Sequence, residues 1–200
     1  MAQFRGKQFD IPITRHVDPD RMEWPSDEDL LSDTVGGNRD FLPLGRTDWF
    51  EVQAAIDEER SVMDTIAASD DREAAHADWR EENAESDDPT LFGFDLGTNA
   101  LSAALSAARC VPFYSCNGGA FDDGHHEEYP LIAFFCPVPI FPFVRDAAEN
   151  ASIGIEYNDS GGLSVFSRNV DSMIDMAALL FERRREIDAV QGVPILPDEE

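Results

Sequence analysis

The sequence predicts an α+β protein: a small, mainly antiparallel sheet of about four strands with packed helices, preceded by an acidic helical arm. Three observations carry this. Leu131 to Cys136 is apolar on both faces, as a central strand covered on both sides must be. Ser152 to Tyr157 alternates, Asn158-Asp159-Ser160-Gly161-Gly162 is a turn, and Leu163 to Arg168 returns as a hairpin partner. Apolar residues at helical spacing precede and follow these strands.

Taken in order, residues 1–46 read as a loosely structured arm. Phe4, Phe9, Ile11 and Ile13 form one short strand, which Pro12 confines to an edge. Ser26 caps a helix from Asp27 to Leu31, with Asp29 in the capping-box position. Val35-Gly36-Gly37-Asn38 breaks it, and His16 is an exposed structural residue. Residues 47–84 form an acidic amphipathic segment. Thr47 caps a long helix whose apolar stripe is Trp49, Val52, Ile56, Met63 and Ile66. Its outer face is Glu51, Asp57, Glu58, Glu59, Arg60 and Asp64. Ala67 to Asp70 interrupts the helix, and Arg72 to Glu82 resumes it, with Trp79 as its apolar anchor and His76 one turn earlier.

Residues 85–90 are polar, acidic and contain a proline, which marks a linker. Residues 91–190 then form a compact domain. Thr98 or Asp95 caps a helix with Leu101, Ala104, Leu105 and Ala108 on its apolar face. Cys110 to Ser115 is the first strand. Pro137, Pro139 and Pro142 end the second, and a helix bearing Phe141, Val144 and Ala148 follows. Asn169 caps the last helix, whose stripe runs from Val170 to Phe181. Arg183, Arg184 and Arg185 complement the carbonyl end of its dipole. Residues 191–200 are a fraying tail. The sequence shows no internal repeat.

Two hundred residues suit one domain with an extension, or two small domains. A hydrophobic content of 42% supports a real core. The net charge is −26, from 15 basic against 41 acidic residues, and Lys7 is the single lysine. Such a surface repels phosphate backbones and anionic lipids, which disfavours direct nucleic-acid or membrane binding. Solubility in a salt-rich cytosol explains the acidity, as does mimicry of nucleic acid toward a basic protein. The even spread favours solubility: residues 1–90 carry 9 basic and 24 acidic groups, and residues 91–200 carry 6 and 17. No apolar run approaches the roughly 20 residues that span a bilayer. The start, MAQFRGKQFD, has no apolar signal region. The expectation is therefore a cytoplasmic chain with three reduced cysteines and no disulfide framework.

Chemistry is concentrated between Arg109 and Pro137, which holds Cys110, Cys116, Cys136, His125 and His126. Cys110 and Cys136 lie in strands, where packing accounts for them. Ser115-Cys116-Asn117-Gly118-Gly119 follows the first strand. Its glycines permit positive φ, so successive N–H groups can face a common concavity that favours an anion or a carbonyl. The structural alternative is a tight turn with Cys116 as a small buried hydrophobe. His125 and His126 come nine and ten residues after Cys116, so a loop that folds back brings them to the same sheet edge. Three chemistries fit. Cys116 is a nucleophile activated by a histidine; or Cys116 and a histidine hold zinc, with Asp122, Asp123 or Glu127 nearby; or the loop binds a small ligand. Paired CxxC or HxxxH spacing is missing.

A helix, a strand, a Ser-x-Cys-x-Gly turn and a second apolar strand, over about residues 98–168, resemble the tRNA wybutosine-synthesis methyltransferase family, which has a Ser-Ser-Cys-Ser-Gly-Arg motif. The matching residues are Ser115, Cys116 and Gly118. Gly119 stands where that motif has arginine, and the acidic surface does not suit tRNA. The resemblance implies a fold and no activity.

Two functional expectations result. In the first, Ser115, Asn117, Gly118 and Gly119 bind a small polar or anionic ligand. Cys116, His125 and His126 act there as catalytic or metal-binding groups, steadied by Asp122, Asp123, Glu127 and Glu128. In the second, the Trp49–Ile66 stripe and the acidic surface form an interaction module for a basic protein, with no chemistry.

Overall fold

The computed structural model describes residues 5–32, 34–37, 46–85, 94–121 and 127–194, with side chains at all of these except 84 and 85. Among them are seven helices: α1 Asp27–Leu30, α2 Trp49–Ala68, α3 Arg72–Glu85, α4 Asn99–Ala107, α5 Phe141–Asn150, α6 Val170–Glu182 and α7 Arg184–Asp188. The four strands are β1 Val111–Cys116, β2 Leu131–Phe135, β3 Gly154–Tyr157 and β4 Leu163–Phe166. Every pairing is antiparallel, in the order β1-β2-β4-β3. The fold is α+β, as the patterns predict. The linker residues 86–90, most of the tail, Phe4, His125 and His126 lie outside the described residues.

The central strand explains the layering. Ile132 and Phe134 of β2 belong to the main core with α2, α4, α5 and α6. Ala133 and Phe135 point the other way, into a smaller cluster with Val35, Val111 and Phe113, against which Trp24 and Leu30 of the arm pack. Alternation on β2 thus buries both faces, and the arm supplies the second cover. Pro112 is tolerated because β1 is an edge strand, and the register shifts beside it. The arm also screens the opposite edge. Ile155 of β3 donates to the Thr14 carbonyl, and Arg15 bridges Ile155. The expected strand through Phe9, Ile11 and Ile13 is not formed: the one bridge lies beyond it at Arg15, and Pro12 has no N–H to offer a ladder.

The chain repeats an order that its residues do not advertise. α4-β1-β2 is followed by α5-β3-β4, and the two units meet through β2 and β4. Leu131 pairs with Phe166 and Phe134 with Leu163, a register that a half-turn between the two strands maps onto itself. Both helices end alike. Arg109 and Ser152 take positive φ, 65° and 61°, while the next residue donates back to the helix: Cys110 to Leu105 O and Ile153 to Ala148 O.

Two local expectations need correction. The cap of α2 is Asp48. Its carboxylate accepts from Phe50 and Glu51, and the Glu51 carboxylate accepts from Asp48 N–H. Thr47 is instead buried, with its N–H on Ser106 Oγ. Glu59 is not on the outer face of α2; it is fully buried. The stripe itself is internal, with Val52, Ile56, Met63 and Ile66 in the core and α2 packed on α4 and α6. Ser26 and Asn169 cap as expected, and Arg184 donates to the Phe181 carbonyl at the end of α6.

Candidate functional site

The turn after β1 is a closed device. Asn117 is fully buried. Its Oδ1 accepts from Gly119 N–H at 2.9 Å, and its Nδ2 donates to the Leu96 carbonyl at 3.3 Å. Asn117 N–H donates to Asp95 Oδ2 at 3.3 Å, and Gly118 N–H to Cys116 Sγ at 3.4 Å. The backbone donors expected to face a ligand are thus engaged within the protein. Gly118, at φ 66°, is required: a Cβ there would stand 2.3 Å from the main-chain carbon of Tyr129. Ser115 is partly exposed on β1, opposite Ile132.

Around Cys116 the electrostatics disfavour a thiolate. Burial pushes the thiol up from its ordinary value, and the Asp95 and Glu127 carboxylates add to that, against bonds from the Gly118 and Glu127 main chain. Glu127 accepts from Tyr114 Oη at 3.0 Å, and Glu128 is exposed. The loop therefore returns to Cys116 at Glu127. His125 and His126, with Asp122 and Asp123, lie outside the described residues. Among the described residues no group of three or more His, Cys, Asp or Glu is placed to hold a metal such as zinc. Cys110 and Cys136 are buried free thiols, and burial, then their mutual hydrogen bond, raises the Cys136 thiol well above its ordinary range. His76 is buried and stacks on Phe121, with ring centroids 4.8 Å apart.

Next to this turn, Glu59 closes the start of α4. One oxygen accepts from Gly97 and Asn99 N–H at 2.8 and 3.1 Å, and the other from Ala100 N–H at 3.0 Å. These are the donors a helix start leaves without partners. Thr98, expected to cap, makes no side-chain cap bond; its hydroxyl donates to the Asp95 carbonyl. Burial pushes the Glu59 carboxyl up to about 7, against these bonds.

A different arrangement lies at the opposite edge of the sheet, beside β3, where the arm, the α5–β3 junction and α6 line a groove of about 880 Å³. Arg15, Arg60 and Arg168 line it, three of the 15 basic residues in a chain of charge −26. Arg15 Nε donates to the Ile153 carbonyl at 2.6 Å, and Arg168 Nε to the Ile11 carbonyl at 2.8 Å. Each guanidinium is held by one atom, and among the described residues its Nη groups have no ion pair. Arg60 is neutralised by Asp175 at 3.2 Å. Gly154 pairs with Phe166, so residues 152–153 and 167–168 lie side by side one step beyond the strands. Ser152, Arg168 and the Arg15 fork therefore converge there. Asn169 and Ser172, at the start of α6, continue the same wall, and Glu182 closes its other end. The described lining contains no cysteine and no histidine. A smaller hollow of about 360 Å³ beside residues 36–37 has Glu23 and Asp29 in its lining and no cation among the described residues.

The groove escaped the sequence patterns because its arginines are 45 and 108 residues apart. One local signal was present. Ile11, Ile13, Arg15 and Val17 form the half-buried row of an alternating segment, and an arginine takes an apolar place in it. Comparison of the chain with family models, curated proteins and solved structures gives no match.

Proposed function

We propose that this protein binds a small anionic ligand in the groove between the arm and α6. The observation that carries the reading is the pair Arg15 and Arg168. Both are oriented through Nε by main-chain carbonyls, and among the described residues their Nη donors have no carboxylate, in a protein otherwise dense with carboxylates. Pre-orientation lowers the entropy lost on binding, and guanidinium forks match oxyanions. A groove of this size falls in the range of small-molecule sites.

A small polar or anionic ligand was the expectation for the turn after β1, but there the donors already have internal acceptors and Asp95 and Glu127 stand close by. The Ser115-Cys116-Gly118 pattern supplies only a turn, with Gly118 N–H on Cys116 Sγ. The alternative, a basic partner docked on the Trp49–Ile66 stripe and the acidic surface, keeps only the acidic surface, since Val52, Ile56, Met63 and Ile66 are in the core.

The test is calorimetric titration of the full chain in low-chloride buffer with phosphate, sulfate and acetate. Saturable binding that weakens with added salt and is lost in Arg15→Gln and Arg168→Gln is the expected result. Heats no larger than dilution for all three anions would remove the reading.

A further inference from the structure

We infer that the ligand of this groove is a phosphate monoester with a single dianionic end, seated by Arg15, Arg168 and the start of α6, with an uncharged or cationic body lying along α6. This rests on the reading of the groove as an anion site and names its ligand class.

The charge is graded along the groove. Its lining follows α6 from Asn169 to Glu182, roughly 20 Å at the helical rise. At the first end stand two guanidiniums without ion-pair partners among the described residues. The positive end of the 13-residue α6 lies beside them. Asp171 does not cancel this charge, because Arg5 holds it at 2.5 Å. In the middle, Arg60 and Asp175 cancel. At the far end Ala178 and Leu179 give an apolar strip, and Glu182 is exposed with no partner among the described residues.

Each part of that gradient selects chemistry. One guanidinium fork fills both oxygens of a carboxylate, whereas two forks from separate segments suit the three oxygens of a phosphate. Two positive charges match a monoester, which carries about −1.5 to −2 near neutral pH. The hydroxyls of Ser152 and Ser172 and the Asn169 amide are further neutral donors of the kind that phosphates accept from. Beyond the seat the described lining offers a second anionic group only Arg60, which Asp175 already neutralises, and an anion at the far end would face Glu182, which suits an ammonium group instead.

Titrations of the full chain with phosphoethanolamine, glycerol 3-phosphate, inorganic phosphate, pyrophosphate and succinate test this. The two monoesters should bind about tenfold or more tighter than succinate. Neither monoester is long enough to reach Glu182 from a phosphate seated at Asn169, roughly 20 Å away along α6, so Glu182→Gln should leave the affinity of both unchanged, and a loss would overturn the seat. Monoester affinity should rise between pH 5 and 7 as the second phosphate proton leaves, near pH 6. Arg15→Lys should keep the fold and the charge and still lose about tenfold, since the fork is gone. Succinate or pyrophosphate binding as tightly as the monoesters would overturn the ligand class while leaving an anion site. Inorganic phosphate binding as tightly as the monoesters would overturn the seat along α6. No binding of any of the five would remove the site itself.

Discussion

Two polar regions of this molecule treat their hydrogen-bonding groups in opposite ways. At the start of α4 and the turn after β1, main-chain donors end on internal acceptors: Gly97, Asn99 and Ala100 on Glu59, Asn117 on Asp95, Gly119 on the Asn117 side chain. In the α6 groove, Arg15 and Arg168 each give one donor to the fold and, among the described residues, keep the others open. Both regions began as the same irregularity, a charged residue in an apolar register. Glu59 falls in line with Val52, Ile56, Met63 and Ile66, and Arg15 with Ile11, Ile13 and Val17. The difference shows how to sort polar groups. Those that serve the fold are saturated, and those free for a ligand are fixed at one atom only.

That sorting is tested most severely by separating stability from binding. Glu59→Ala leaves three buried N–H groups without acceptors, so it should lower stability by about 3 kcal/mol or more. Anion affinity, measured well below the melting temperature, should be unchanged. Glu59 also sets a pH dependence. Its folded value of about 7 lies above the ordinary 4.5, so the folded state holds a proton that the unfolded chain has released between those values. The stabilisation is complete below about pH 4.5 and fades as pH rises through 7, by a total of order 3 kcal/mol. Melting curves of the wild type and Glu59→Gln from pH 5 to 8 isolate this from the other carboxylates. The variant should lose the downward slope, and parallel curves would mean that Glu59 is ionised throughout.

Two turns that each open on an asparagine sharpen the comparison inside one fold. After β3, Asn158 Oδ1 accepts from Ser160 and Gly162, as Asn117 Oδ1 accepts from Gly119 after β1. Asn117 is fully buried and Asn158 partly so. Asn117→Ala should therefore cost about 2 kcal/mol, and Asn158→Ala about 1. Neither should alter anion binding. Loss of binding in Asn117→Ala with stability intact would return the ligand site to the β1 turn.

Local pattern carried most of the fold. The β3–β4 hairpin, the capped α6 and the two-faced β2 are each specified by residues a few positions apart, and each formed as expected. Caps shifted by one residue where burial decided, as when Thr47 turned inward and left Asp48 to the helix. Glu59 was misplaced because a charge is ordinarily assigned to the solvent face, although its spacing matched the stripe. The asparagine of the β1 turn serves geometry: Asn117 Oδ1 accepts from Gly119 N–H, as Asn158 Oδ1 accepts from Ser160 and Gly162 after β3. The groove was hard to read because the fold brings together three arginines from distant segments, and the place of Arg15 in an apolar row was its one local sign.

The smallest expected effect is the sharpest test of where the groove's polar groups belong. Ser152 and Arg109 occupy the same left-handed position after α5 and α4, with φ 61° and 65°, where glycine is usual. Arg109 has a structural reason to be there: its guanidinium donates to the Asp188 and Val190 carbonyls. Ser152 is exposed, lines the groove and makes no side-chain bond among the described residues. Glycine at 152 relieves the strained φ and gives back part of that gain through the greater freedom of the unfolded chain. Ser152→Gly should thus raise stability by about 0.5 kcal/mol, visible as a small rise in melting temperature. Arg109→Gly should lower it, because two carbonyls lose their donor. If the Ser152 hydroxyl faces the bound anion, Ser152→Gly also weakens monoester binding by a few-fold, roughly one neutral hydrogen bond. A variant that is more stable and binds equally well would remove Ser152 from the site and leave Arg15 and Arg168 to hold the anion alone.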